Sequence, residues 1–204
     1  MIVAMPLAID KIEPDDWNTF NKIWEDHSDF LVKVAYLENN PYKSDSPLGK
    51  SDLWKSLDIF RSNKHNTIWD GPYFDIREAL PKMYSSILKL PFNVNTVRII
   101  SSVQEVLPHS DNGTDQWEVR AFLRCENPSK EWFFTPRNLP EQKIFIKMPN
   151  DTNWFAYNDK FCFHGSHVNT EIPKLLIQIF YDGNLDELVK NLSLTKYFKY
   201  TINF

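Results

Sequence analysis

Three side chains in this sequence could hold one metal ion: His109, Asp111 and His164. His109-Ser110-Asp111 forms a tight HxD triplet, and His164 follows 55 positions downstream of His109. Two imidazoles and one carboxylate can occupy a single face of an octahedral ion. Three positions then stay open for a co-substrate and oxygen, an arrangement suited to a non-haem ferrous centre. The triplet spacing has a physical reason. On a strand, residues i and i+2 point to the same face, so His109 and Asp111 can reach one ion from one strand end.

The downstream half of the set sits in Phe161-Cys162-Phe163-His164-Gly165-Ser166-His167-Val168-Asn169. His164 ends an apolar run, and Gly165 permits close backbone approach. Lys174 comes ten positions after His164 and opens the apolar strand Lys174–Tyr181. A cation at the start of such a strand needs a partner, because an unpaired buried charge is costly. A dicarboxylate co-substrate would supply one. His167 competes for the role of distal ligand; His164 is favoured by its spacing to Lys174 and by its glycine neighbour. His167 then lines the substrate entry, supports the site from behind, or merely sits in the turn. His27 and His65 lie among polar neighbours and read as surface residues.

The elements that must position these groups fall into two parts. Residues 1–92 read as mainly helical. Asp15 or Asp16 can cap a helix carrying Trp17, Phe20, Ile23 and Trp24 on one stripe. Residues 37–50 are rich in turn formers and read as a loop. Ser51 or Asp52 opens a second expected helix, with Leu53, Trp54, Leu57 and Phe60 at helical spacing. A third is expected from about Asp75 to Leu88, kinked or restarted at Pro81. After Pro91 the pattern changes to short strands separated by Asn, Asp, Gly or Pro. They are expected at 96–103, 118–124, 131–134, 143–147, 153–157, 161–163 and 174–181. A short helix around Leu185–Val189 and an edge strand within Tyr197–Phe204 would close the chain. The expected fold is α+β with a mainly β core: a double-stranded β-helix (jelly roll, cupin-like) over 93–204, with the helical region packed against it in one domain of 204 residues.

The order of these features resembles the Fe(II)/2-oxoglutarate-dependent oxygenases. An HxD triplet is followed by Arg120 within the next strand, then by His164-Gly165, then by a basic residue ten positions on. Val106–Asp111, Val119–Leu123 and Trp154–His164 are most similar to the aspartyl/asparaginyl β-hydroxylase branch, whose pattern the free-proline hydroxylases share. The resemblance spans about residues 95–183. It implies that His109, Asp111 and His164 hold Fe(II). It implies that Lys174 pairs with the distal carboxylate of 2-oxoglutarate, and that Arg120 contacts a carboxylate of co-substrate or substrate. The implied reaction is hydroxylation of a C–H bond of a small substrate using O2, with release of succinate and carbon dioxide. Asp111 points to hydroxylation, since halogenating relatives lack that carboxylate. Two departures stand out. Many relatives carry arginine where this chain has Lys174, and only arginine binds a carboxylate bidentately. Several also carry histidine two residues after the arginine, where this chain has Phe122.

Trp117, Arg98, Arg124 and Trp132 are further pocket candidates, each of which has a plain alternative in core packing or a solvated strand face. Two other readings of the whole remain: a cupin-like metalloprotein that does not use 2-oxoglutarate, and a non-catalytic β-sandwich binding module. The composition sets outer limits. Hydrophobic residues at 42% and aromatic residues at 15% suffice for a core of large planar side chains. A net charge of -4 argues against a broad nucleic-acid face. Cys125 and Cys162 form no CxxC pair and read as buried free thiols. The first ten residues make a poor signal peptide, and no apolar run approaches a membrane span, so a cytoplasmic protein is expected. The substrate would be a free amino acid, a short peptide or a carrier-bound amino acid. The oligomeric state is left open.

Overall fold

A computed structural model describes residues 1–30, 54–62, 71–102, 105–110, 117–139, 141–167, 172–183 and 196–204. The expected loop at 37–50, the tail helix at 185–189, His65 and Asp111 lie outside the described residues.

The described part is mostly antiparallel β-sheet with a few helices. In chain order the elements are β1 (Ile2–Pro6), α1 (Trp17–His27), β2 (Asp29–Phe30), β3 (Trp54–Arg61), α2 (Pro81–Leu88), β4 (Asn93–Ser102), β5 (Val106–His109), β6 (Trp117–Arg124), α3 (Pro128–Glu131), β7 (Trp132–Pro136), β8 (Ile144–Phe145), β9 (Trp154–Asn158), β10 (Cys162–Ser166), β11 (Leu175–Asp182) and β12 (Ile202–Asn203). The main sheet runs β12-β1-β9-β6-β11-β4-β3-β2, and a second sheet runs β5-β10-β7-β8.

Among the described residues of 1–92, strands stand beside the expected helices. β1, β2 and β3 all join the main sheet. The residues expected to form a second helix are strand β3. The spacing of Leu57 and Phe60 suits a helix, but the decisive pattern is Ser56-Leu57-Asp58-Ile59. Leu57 and Ile59 face one buried layer, while Ser56 and Asp58 are buried on the other side. Polar and apolar residues alternate here with the period of two of a strand, and that alternation outweighs the helical spacing. The third helix begins at Pro81, not Asp75. Proline fits the first helical position, where its missing N–H costs nothing.

Two adjacent aspartates cap different helices. Asp16 accepts from the Thr19 amide at 2.7 Å and starts α1. Asp15 accepts from the amides of Lys82 and Met83, both at 2.8 Å, and so satisfies the first turn of α2. Phe20 and Ile23 of α1 and Met83 and Ile87 of α2 then cover one face of the main sheet, against Val97, Ile99, Val119, Ala121, Leu175 and Ile177. The other face looks toward the second sheet. There Ile100, Phe122, Phe155 and Leu176 meet Trp132, Phe134 and Cys162. This is a β-sandwich core with helices on its outer side.

Close approach of β5 to β10 depends on Gly165. A Cβ there would come within 2.6 Å of both the Val106 carbonyl oxygen and Phe133 Cζ. The backbone oxygen cannot give way. Gly165→Ala should therefore lower stability by about 1–3 kcal/mol, read by urea denaturation. An unchanged midpoint would contradict the observed packing of β5 on β10.

Candidate functional site

His109 is the last residue of β5, and His164 is the middle residue of β10. The two strands are antiparallel neighbours, and His164 is paired directly with His109. Opposed residues in such a pair share a face. Their rings lie 4.3 Å apart between centroids, and the residues are 0% and 4% exposed, respectively. Two imidazoles distant in sequence are thus side by side within the sandwich.

A carboxylate fixes one of them. Asp159, itself buried, has Oδ1 3.0 Å from His164 Nδ1. A carboxylate accepts, so Nδ1 carries the hydrogen; in a neutral ring that tautomer puts the lone pair on Nε2. The Tyr157 hydroxyl is 3.5 Å from that Nε2 and donates to Glu118 Oε2 at 2.9 Å. The Trp132 ring stacks on His164 at 5.4 Å, and the Tyr157 ring lies at 4.7 Å. Arg137 ties the two halves together. It donates to Ser110 Oγ at 3.1 Å and to the Asp159 carbonyl. The residue after His109 and the turn before β10 therefore share one guanidinium.

Asp111 lies outside the described residues. Among the described residues, no group of three or more His, Cys, Asp or Glu side chains is placed to hold a metal ion. His167, the competitor, points elsewhere. Its Nδ1 is 3.0 Å from Glu105 Oε1, its Nε2 is 3.5 Å from Lys143 Nζ, and its ring packs near Phe133 and Phe145.

Arg120 and Lys174, the two expected carboxylate partners, are both buried. Arg120 projects from β6 into the sandwich, with its guanidinium 5.6 Å from the Trp132 ring and 5.4 Å from the Tyr157 ring. Both rings also touch His164. Its Nη2 donates to Glu118 Oε2 at 3.0 Å. Lys174 finds its partners within the chain: Glu131 at 3.8 Å and the His167 carbonyl. Burial pulls the Lys174 ammonium below the ordinary lysine range, and the Glu131 charge opposes that pull. Glu131 also accepts from the Asn127 amide and from Cys125.

The other candidates separate cleanly. Trp132 lines the histidine pair. Trp117 packs in the helix-side layer, away from it. Arg124 binds the Pro173 carbonyl and Asn21 Oδ1, and so joins α1 to the sheet. Arg98 is buried against Asp58. Cys125 and Cys162 are free cysteines whose thiols burial pushes up, so neither offers a thiolate at neutral pH. Asp159, Tyr157, Glu118, Glu131 and Arg137 were not anticipated. No spacing rule relates them to the histidines; strand register and turns bring them in.

No protein-family model matches this sequence. A search of curated proteins finds no match. Among solved structures, the crystal structure of IDO from Bacillus thuringiensis is similar at 9% identity, covering 82% of this chain and 99% of that one, with a TM-score of 0.35. A likeness at that TM-score carries no argument about chemistry. No helix among the described residues is long and apolar enough to cross a membrane.

Glu131→Gln isolates the charge on Lys174. Removing one member of a buried pair costs about 3–5 kcal/mol at neutral pH. The folded-state pKa of Lys174 lies below its unfolded value, so the unfolded chain holds more protons between the two and stability rises with pH across that window. Part of the Glu131→Gln loss should therefore return on going from neutral pH toward about 10, measured by denaturation at both pH values. An equal loss at both would show that Lys174 is not the charge concerned.

Proposed function

We propose that this chain is an Fe(II)- and 2-oxoglutarate-dependent dioxygenase that hydroxylates a C–H bond of a small substrate on a jelly-roll core. The observation that carries the reading is the direct pairing of His164 with His109, at the strand end where the HxD triplet begins. The topology supports it. From β4 to β11, successive strands fall in the main, second, main, second, second, main, second and main sheets. That alternation is what winding a double-stranded β-helix requires.

The donor set fits a ferrous ion. Two neighbouring imidazoles offer nitrogen ligands, and a carboxylate behind one of them sets its tautomer, as metal-binding histidines require. Asp111 is assigned the third position from its place two residues after His109. When bound, Fe(II) with 2-oxoglutarate supplies oxygen activation and the oxidising power for hydroxylation, with succinate and carbon dioxide released. The chain's own residues hold, orient and exclude. Asp159 keeps Nε2 of His164 turned inward. Trp132 and Tyr157 keep water from the faces of that ring. Arg137 holds Ser110, next to His109, against the turn carrying Asp159.

The distal carboxylate of 2-oxoglutarate is assigned to Arg120, with Lys174 second. Arg120 shares two ring neighbours with His164 and can offer a fork of donors. Lys174 already faces Glu131. That pairing also favours one competing reading, a cupin-like metalloprotein that does not use 2-oxoglutarate.

Anaerobic titration of the apo-protein with Fe(II) and 2-oxoglutarate tests the proposal. A weak visible charge-transfer band is expected. His109→Ala and His164→Ala should abolish it, and His167→Ala should keep it. Arg120→Gln should weaken 2-oxoglutarate binding by roughly 10-fold or more, the scale of one charge-assisted hydrogen bond. A larger effect from Lys174→Met would return that role to Lys174. Iron binding without a band would favour the competing reading, and no binding by a folded protein would defeat both.

A further inference from the structure

Trp132 and Trp154 are each 1% exposed, yet their indole N–H groups fare differently. Trp154, in the helix-side layer, donates Nε1–H to the Asp10 carbonyl at 3.1 Å. Trp132 Nε1 is also shut away from solvent, and it has no hydrogen-bond partner among the described residues. A buried indole N–H ordinarily finds an acceptor, because nothing else makes good its lost hydration. The same group is thus satisfied on one side of the main sheet and not on the other.

The place of the exception matters. Trp132 opens β7 and is paired with Ser166, while Phe134 is paired with His164. Residues two apart on a strand share a face. Trp132 and Phe134 therefore stand on the face of the second sheet that carries the histidine pair. The indole stacks on His164, with centroids 5.4 Å apart and planes 18° apart. The Arg120 guanidinium lies 5.6 Å from the same ring. Phe122 and Phe155 meet it edge to face at 6.2 Å and 5.8 Å, and their side chains offer neither oxygen nor nitrogen. An indole N–H lies in the plane of its ring. Its acceptor has to come to the ring's edge, in the layer between the sheets that His164 and Arg120 share.

We propose that the Trp132 indole N–H is a donor for an oxygen of the carboxylic acid that binds beside His164. This rests on the dioxygenase reading, which brings two such acids to the site: 2-oxoglutarate and a substrate of the free amino acid kind. The donor is uncharged. It adds a directed hydrogen bond without adding a cation to an interior where Arg120 already meets Glu118. It also selects. A site built around a buried donor rejects a ligand that brings no acceptor, because the donor is then left unpaired. Trp132 is thereby a ligand-binding residue, in addition to covering one face of His164.

The test labels the nitrogens of the full chain isotopically and follows the Nε1–H signals of its seven tryptophans by NMR. Trp132→Phe keeps an aromatic face against His164 and identifies the Trp132 signal by its loss. Zn(II)-loaded protein, with metal-free protein in parallel, receives 2-oxoglutarate and then pools of the free L-amino acids. The Trp132 signal should move downfield at the first addition if the acceptor belongs to the co-substrate, and at the second if it belongs to the substrate. In Trp132→Phe the affinity for that acid should fall by roughly 10-fold, with Zn(II) affinity unchanged. An indole with a packing role alone would move neither signal nor affinity, and that result overturns the proposal. Should the variant fail to fold, the wild-type spectra decide: no indole signal moving with either acid overturns it equally. A charge-transfer band in the Fe(II) titration beside an unmoved Trp132 signal overturns the proposal and leaves the dioxygenase reading standing. A Trp132 signal that moves in a protein forming no such band defeats the dioxygenase reading and upholds the donor.

Discussion

Register between β5 and β10 is the constraint on which the site depends. Sliding one strand by a single residue would turn every side chain to the other face. His109 and His164 would then part, and Ser110 or Phe163 would take a place inside. Gly165 locks the pairing by allowing a backbone approach that any side chain would obstruct. Asp159, Tyr157 and Trp132 act on an arrangement that this register has already made. The histidine pair is therefore a property of sheet geometry first and of local chemistry second.

Polar groups inside the sandwich are paired in a graded way. At one end Lys174 meets Glu131. Toward the histidines, Arg120 and Tyr157 share Glu118, while Arg98 and Arg61 share Asp58. Asp159 against His164 and Glu131 against Lys174 add two more buried carboxylates, so cations and anions alternate through this interior. The helix-side layer contrasts with it: it is apolar, and it serves rigidity.

Much of this was legible in the sequence, and the parts that were not share a cause. The strands that frame the site were readable because turn formers punctuate them and β-branched and aromatic residues fill them. His109 and His164 were expected to come together, and strand pairing sets them side by side. β3 was misread because Leu53, Trp54, Leu57 and Phe60 fall at helical spacing, and that reading was preferred to the short alternation Ser56-Leu57-Asp58-Ile59. β1 was read only as a start too short and broken for a signal peptide, although it pairs with β9 and with β12. Asp159 and Glu131 were not legible at all. Each is a single carboxylate whose meaning comes from the residue that a turn or a neighbouring strand sets against it. Lys174 was expected to meet a dicarboxylate co-substrate; among the described residues its buried ammonium faces Glu131, which no local pattern singles out.

Counting the imidazoles bound to one metal ion tests the central claim most directly. Pulsed electron paramagnetic resonance of the Cu(II)-substituted protein resolves coordinated imidazole nitrogens. Two equivalent imidazoles are predicted for the wild-type chain, and one in each of His109→Ala and His164→Ala. A single imidazole in the wild-type chain, or loss of one in His167→Ala with both retained in His164→Ala, would contradict the account.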